Sequence, residues 1–239
     1  MTSLLAANYQ HLVELPAAQS LCKLAGLPML APYWPALVAL AGLCQLLRLS
    51  SNALSSLVFG AKFDSLTARQ KYDWGIRVVS QIHAITVVLL AIPIFFKQEL
   101  LNDKLYGFDN YASWVYAIKP SLQYYGASFI MFEVSTIFLN NSWWMDKLGM
   151  TGSRLQLYNA IALLSTYFVV RLVFGPYMSY RLFEDLKAHG TNTSVAVYYF
   201  YRIANHSIIL LSYYWFYLMV SAVRKRFAPS KGVKEEKTE

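Results

Sequence analysis

The stretch IRVVSQIHAITVVLLAIPIFF occupies residues 76–96 and contains only two side chains that can carry a positive charge, Arg77 and His83. An α-helix needs about 20 consecutive apolar residues to cross the hydrocarbon of a bilayer. A helix in the core of a soluble protein is shorter and shows a clearer amphipathic period. Residues 76–96 are therefore predicted to span a membrane, with Pro93 bending the far end of the helix.

Four further apolar runs of similar length follow the same pattern, with charged clusters between them. The composition agrees, because only 14% of the residues are charged and a soluble domain usually has about 25%. The fold class is therefore predicted to be all-α, a polytopic transmembrane helix bundle. Its five predicted spans are residues 34–59, 76–96, 121–139, 155–175 and 195–223.

The net charge of +8 lies mostly in the segments beside the spans. With five spans, one side of the membrane carries twelve basic residues and the other side carries six. The positive-inside rule places the richer side in the cytosol. The tail at residues 1–33 is then luminal, residues 34–223 are the membrane domain, and the charged tail at residues 224–239 is cytosolic. Because no recognition motif accompanies the charge, nucleic acid is not expected as a partner.

The two cysteines, Cys22 and Cys44, do not predict a disulfide framework, a redox pair or a zinc site. No metal or other cofactor is expected. The N-terminus lacks a basic segment before an early apolar run, so the first span is predicted to act as the targeting signal. Asn192 begins an Asn-Thr-Ser sequon in a loop predicted to be luminal and is a possible glycosylation site.

Ionisable and amide side chains inside predicted spans are the candidate functional residues, because such groups are costly in hydrocarbon and usually face protein or a cavity. Several share a helical face. Glu133, Thr136 and Asn140, for example, have the spacing i, i+3 and i+7 in the third predicted span and therefore lie on one side of the helix. Two interpretations remain open: the residues bond neighbouring helices and do nothing else, or they line a place for a lipid headgroup. The candidates are His83, Glu133, Thr136, Asn140, Arg171, Arg202, Asn205 and His206.

Three segments carry a resemblance to a known family: YDWGIRVVSQIHAI (72–85), FIMFEVSTIFLNNSWWMDKLGMTGS (129–153) and FVVRLVFGPY (168–177). They resemble the TLC-domain family of endoplasmic-reticulum membrane proteins, which includes the ceramide synthases, the TRAM translocation proteins and several lipid-homeostasis proteins. The resemblance covers about residues 35–225, and its most specific part is the pattern of Phe, Glu, Ser, Thr and Asn within residues 132–140. It is closest to members of unassigned activity.

The chain departs from this family between residues 100 and 125, where the resemblance implies that about two spans are absent. Three explanations of the shorter segment are open: a splice form, a gene-model error or a true deletion. Ceramide synthases place their proposed catalytic histidine pair in this interval, whereas this chain has no histidine between His83 and His189. The resemblance therefore favours a protein without catalytic activity.

The family resemblance implies a multi-pass protein of the endoplasmic reticulum that acts in membrane-lipid homeostasis by binding or sensing lipid. Membrane lipids are the expected partners; protein partners and a homo-oligomer are left open. One alternative is a sphingoid-base N-acyltransferase similar to the ceramide synthases. A second alternative is an accessory protein of trafficking or translocation, whose cationic cytosolic loops bind other proteins.

The orientation and location are tested with an epitope tag added after Glu239. We expect the tag to stain the same network as an endoplasmic-reticulum marker when only the plasma membrane is permeabilised, because twelve basic residues lie on its side of the membrane. Staining that requires permeabilisation of the internal membranes would contradict the predicted orientation.

Overall fold

Helices account for the secondary structure of the described residues, which are 14–24, 34–104, 107, 109, 110, 112, 123–188 and 195–227 of a computed structural model. No strand occurs among these residues, so the all-α prediction is confirmed for them. A 3-10 helix, Ile92–Phe96, and a π-helix, Phe168–Phe174, extend two of the α-helices. The α-helices are α1 (Pro16–Leu24), α2 (Trp34–Phe59), α3 (Ala61–Asp64), α4 (Ala68–Ala91), α5 (Gln98–Asn102), α6 (Gln123–Ile130), α7 (Glu133–Lys147), α8 (Arg154–Tyr167), α9 (Gly175–Ala188) and α10 (Val195–Phe227).

Four helical stretches of the described chain are long and apolar enough to cross a membrane. They correspond to the first, second, fourth and fifth predicted spans, and the first has the predicted bounds. The polytopic transmembrane fold is thus confirmed. The four stretches are Trp34–Phe59, Ala68–Phe96, Arg154–Ala188 and Tyr198–Phe227.

The structure differs from the sequence prediction at the third span, residues 121–139. A turn at Met131 and Phe132 separates α6 from α7, and neither helix alone has the length of a span. At this turn the amide of Phe132 donates to the carbonyl of Phe129 at 3.1 Å, three residues back rather than four. The apolar run alone carried no signal for this change in hydrogen bonding.

The fourth predicted span, 155–175, is longer in the structure and continues through α9 to Ala188. Pro176 directly follows the predicted end, and proline has no amide hydrogen to donate to the carbonyl four residues back, that of Leu172. In the structure the hydroxyl of Tyr213, on α10, donates to this carbonyl at 3.4 Å. The helix therefore continues through Pro176. A π-helix ends directly before Gly175, and a donor from another helix bonds the carbonyl that the proline leaves without its usual partner.

The described chain separates into two compact units, residues 1–79 and 80–239. In the first unit the indole nitrogen of Trp74 donates to the hydroxyl of Ser55 at 2.8 Å, which joins α4 to α2. The rings of Phe59 and Phe63 lie edge-to-face with Trp74. Gly75 permits close approach of the two helices, because a Cβ there would lie 2.9 Å from the backbone carbonyl of Arg48.

Aromatic and aliphatic contacts hold the second unit together. Tyr125 of α6 is buried with Met178 and Leu182 of α9. The ring of Tyr167, at the end of α8, stacks on Phe216 of α10 at 6.0 Å between centroids. The hydroxyl of Tyr167 also donates to the carbonyl of Ser212 at 3.2 Å. The second unit is therefore built by α6 packed on α9 and by α8 packed on α10.

A polar network ties the α7–α8 loop to the end of α10, and we call its four members the Asp146 network. One carboxylate oxygen of Asp146 accepts from Gln156 at 2.6 Å and from Thr151 at 3.0 Å. The other oxygen pairs with Arg226 at 3.1 Å. Gln156 is almost fully buried, and its side-chain oxygen accepts from the amide of Gly152 at 2.8 Å. Arg226 lies in the last turn of α10, which continues to Phe227, beyond the predicted span end at residue 223.

Replacing Asp146 by alanine removes the acceptor of three donors at once. We expect Asp146→Ala to lower the free energy of unfolding by about 2 kcal/mol, since hydrogen bonds to a charged group each contribute on this order. The thermal unfolding midpoint in detergent measures the effect. Glu184→Gln is the matched control, because it removes one partner of the exposed Lys187–Glu184 pair and should leave the midpoint unchanged.

Candidate functional site

Arg171 lies at the middle of the stretch Arg154–Ala188, whereas it is four residues from the end of the predicted span 155–175. Its Nε donates to the hydroxyl of Ser135 at 3.3 Å, and its Nη2 donates to the carbonyl of Phe132 at 3.3 Å. The guanidinium carbon lies 5.1 Å from the ring centroids of both Phe132 and Tyr167. Hydroxyl, carbonyl and aromatic groups from two helices and a turn therefore surround this charge.

The turn between α6 and α7 is the other half of this arrangement. The hydroxyl of Ser135 donates to the carbonyl of Phe132 at 2.9 Å while it accepts from Arg171. Gly175 lets the chain after the π-helix approach the same turn, since a Cβ there would lie only 2.6 Å from the Phe132 ring. The ring itself lies edge-to-face with Phe129 at 5.7 Å. The hydrogen bonds of Arg171 therefore connect the helix that carries it to α7 and to the turn before α7.

Asn140 also joins helices. It is almost fully buried on α7, and its amide nitrogen lies 3.2 Å from the hydroxyl of Ser80 and 3.2 Å from the side-chain oxygen of Gln81, both on α4. The amide of Gln81 in turn donates to Asn141 at 3.5 Å. Amide side chains of this kind satisfy one another between helices that cannot obtain hydrogen bonds from lipid.

A second cluster forms where α9 meets α10, and we call its members Phe183, Tyr198, Arg202 and His206 the α9–α10 seam. Arg202 Nη1 donates to the hydroxyl of Tyr198 at 2.9 Å. The guanidinium carbon of Arg202 lies 5.8 Å from the centroid of the buried Phe183 ring, and the imidazole of His206 lies 6.0 Å from it. His206 Nδ1 is 2.7 Å from the carbonyl oxygen of Arg202. In contrast to Arg171, both Arg202 and His206 are exposed.

The remaining candidates from the sequence have fewer contacts. Glu133 and Thr136 are half-buried on α7, and His83 is exposed on α4. The side-chain oxygen of Asn205 is buried and has no hydrogen-bond partner within the residues that the structure describes. Asn192, the possible glycosylation site, lies outside those residues. In the described part of the chain, His, Cys, Asp and Glu side chains form no group of three that could hold a metal ion.

Two polar contacts outside the predicted site came from residues in loops or at helix ends. One is the Asp146 network, and the other is the hydrogen bond that the buried Tyr125 donates to the carboxylate of Asp185. Asp146 and Asp185 follow apolar runs in the sequence and have the ordinary appearance of solvated ends. The spacing of glycines at 149 and 152, both with positive φ, was the available signal that the loop after Asp146 has a defined turn.

The sequence that forms α6–α9 and most of α10 matches a known family. Residues 111–221 match the family model described as the TLC domain. The predicted resemblance to the TLC-domain family is confirmed. An uncharacterised TLC domain-containing protein of Schizosaccharomyces pombe is 24% identical over 243 residues, covering 86% of this chain and 83% of the yeast protein. TLC domain-containing protein 4-B of Xenopus laevis is 24% identical over 181 residues, covering 58% of this chain and 69% of the frog protein. No solved structure matches.

The alignment with the yeast TLC-domain protein bears on the length of the chain. Its 86% coverage of 239 residues corresponds to about 206 residues, whereas the alignment is 243 residues long. About 37 positions of the alignment therefore lie opposite gaps in this chain. That is slightly less than two spans of about 20 residues each.

The close approach at Gly175 gives a test of the Arg171 arrangement. We expect Gly175→Ala to lower the thermal unfolding midpoint in detergent, because the new Cβ would overlap a Phe132 ring that Phe129 and Arg171 hold in place. Overpacking of this kind costs about 1–3 kcal/mol. Gly126→Ala, in α6, is the matched control: its Cβ would meet nothing within 4 Å, so the better helix propensity of alanine should leave stability unchanged or raise it. Equal midpoints for the two variants would contradict the close packing at Gly175.

Proposed function

We propose that this TLC-domain membrane protein holds or senses a membrane lipid at the α9–α10 seam, and that it does so in the endoplasmic reticulum as part of membrane-lipid homeostasis. The observation that carries the proposal is the contrast between two arginines. Arg171 is half-buried and hydrogen-bonded to groups of the protein on other elements, whereas Arg202 is exposed and is held by only a hydroxyl and aromatic rings. An exposed guanidinium in a membrane helix needs a polar partner from outside the protein.

The surroundings of Arg202 fit a lipid better than they fit water. Its neighbours on α10 are large and exposed, with 56% of Tyr199, 69% of Phe200 and 67% of Ile203 accessible. Aromatic side chains are enriched at the level of lipid headgroups, where one part of the ring contacts hydrocarbon and the other contacts polar groups. A headgroup at Arg202 would place its acyl chains along the apolar surface of α10.

The location and the role in homeostasis rest on the resemblance of residues 35–225 to TLC-domain proteins, and this support is by analogy. The named relatives are described only as TLC domain-containing proteins. The seam supports the lipid proposal by presenting an exposed cation beside exposed apolar side chains. The Arg171 arrangement supports it indirectly, because it holds the span that carries Phe183 in contact with the turn between α6 and α7.

Native mass spectrometry of the protein purified in dodecyl maltoside tests this proposal. We expect the wild-type chain to retain bound lipid and the double variant Arg202→Ala/His206→Ala to retain several-fold less, because the polar partners of the headgroup are lost. The matched control is Arg154→Ala/Arg224→Ala, which removes two exposed cations outside the seam. Equal retention by all three proteins would show that the lipid binds elsewhere, and no retention by the wild-type chain would reject lipid binding.

A further inference from the structure

The position of Arg202 along α10 places its guanidinium at a defined depth. The 21 residues between Arg202 and Arg224 contain no Asp, Glu, Lys or Arg. At 1.5 Å per residue this segment is about 32 Å long, which matches the hydrocarbon thickness of a bilayer, about 30 Å. Arg202 and Arg224 therefore bracket one membrane thickness, and Arg202 lies at the level where phosphate groups of lipids are found.

The hydrogen bonds of Arg202 leave most of its donors for a ligand. A guanidinium has five N–H groups, and the structure directs one of its nitrogens, Nη1, to Tyr198. Arg202 forms no ion pair with any residue that the structure describes. The planar arrangement of the remaining donors matches two oxygens of a phosphate, which a single ammonium group does not reproduce.

The charges around the seam favour an anion. The acidic residues at this end of α9 already have partners, since Glu184 pairs with Lys187 at 2.9 Å and Asp185 accepts from Tyr125. Lys187, which pairs with Glu184, also lies within electrostatic range of Arg202. Arg202 itself pairs with no carboxylate among the described residues, so an anionic group brought to it meets an unpaired positive charge.

His206 adds a group of opposite character one helical turn deeper. Its Nδ1 lies 2.7 Å from the carbonyl oxygen of Arg202, and because a carbonyl only accepts, this nitrogen carries the proton. In the neutral ring the other nitrogen, Nε2, is then an acceptor. The seam thus offers donors at the headgroup level, which suit the oxygens of a phosphate; the ester groups of phosphatidylcholine only accept, so the acceptor of His206 does not contribute to binding that lipid.

We propose that the α9–α10 seam recognises the phosphate of a phospholipid, and that it discriminates against lipids with the same acyl chains but no phosphate. This inference rests on the proposed lipid-holding function and specifies the class of lipid. Tyr198 is a positioning residue in it, because its hydroxyl fixes the guanidinium plane without needing to touch the lipid. Phe183 supports the same plane from the neighbouring helix.

The test uses two photoactivatable probes that differ only in the headgroup, phosphatidylcholine and diacylglycerol with the same acyl chain. Each is added to the full chain in dodecyl maltoside, a detergent without phosphate. We expect the wild-type protein to be labelled about tenfold more by phosphatidylcholine, the ratio that one charge-assisted hydrogen-bonded contact supplies. Peptide mapping should place the label within residues 195–210.

Four variants separate the role of Arg202 from general damage. Arg202→Gln should label equally with both probes, and Arg202→Lys should recover part of the preference because the charge returns. Tyr198→Phe should reduce the preference without abolishing it. Arg224→Gln, which removes an exposed arginine at the other end of the same helix, should keep the full preference.

The outcomes distinguish this inference from the proposed function. Labelling of the wild-type chain by neither probe would reject lipid holding altogether. Equal labelling by both probes would keep lipid holding and overturn phosphate recognition. A preference that persists in Arg202→Gln, or that Arg202→Lys fails to recover, would overturn the assignment to the Arg202 charge. The thermal unfolding midpoint of each variant, compared with the wild-type value, establishes that the labelled proteins are folded.

Discussion

A positive charge at the middle of a membrane helix must be satisfied by the protein, and the second unit is arranged around the one that Arg171 carries. An arginine at the centre of a span costs about 2.5–3.5 kcal/mol on insertion scales, and hydrogen bonds to protein groups offset that cost. The turn at Met131 and Phe132 brings a carbonyl, a hydroxyl and an aromatic ring to the guanidinium. Tyr167 adds a second ring from one turn earlier in the same helix.

This requirement links features that are separate in the sequence. The turn interrupts the predicted third span, the π-helix Phe168–Phe174 contains Arg171, and Gly175 directly follows the π-helix. Single-turn π segments occur often at functional sites, and here the segment also precedes Pro176. The carbonyl of Leu172, four residues before this proline, accepts from Tyr213 of α10. The irregular backbone of this helix thus receives a hydrogen bond from a side chain of α10.

The long helix α10 has different surroundings at its two ends. Near Phe227 it is fastened by the ion pair of Arg226 with Asp146, which also holds the α7–α8 loop. Near Tyr198 it meets α9 through aromatic contacts and leaves Arg202 exposed. One end therefore has its cation satisfied within the protein, and the other presents a cation at its surface. This asymmetry underlies the proposal that a lipid headgroup completes the seam.

The sequence by itself determined the helical class, the membrane character, four of the five spans and the resemblance to the TLC-domain family. These depend on the length of apolar runs and on short local motifs such as residues 132–140, which tertiary packing does not alter. It also selected Arg171, Asn140, Arg202 and His206 as polar residues in spans, but it could not assign their roles. Burial and partner identity decide those roles, and both depend on which helices become neighbours.

Only the tertiary structure separated Arg171 and Asn140, which join helices, from Arg202 and His206, which lie exposed at the seam. Only the tertiary structure revealed the turn within the third predicted span and the continuation of the fourth past Pro176. The hydrogen bonds at both places join residues about 40 positions apart in the chain, Arg171 with Phe132 and Tyr213 with Leu172. The same holds for Asp146, whose partners lie on α8 and at the end of α10. The sequence shows which polar groups lie in membrane spans, where each is energetically costly. The tertiary fold decides which partner group offsets that cost.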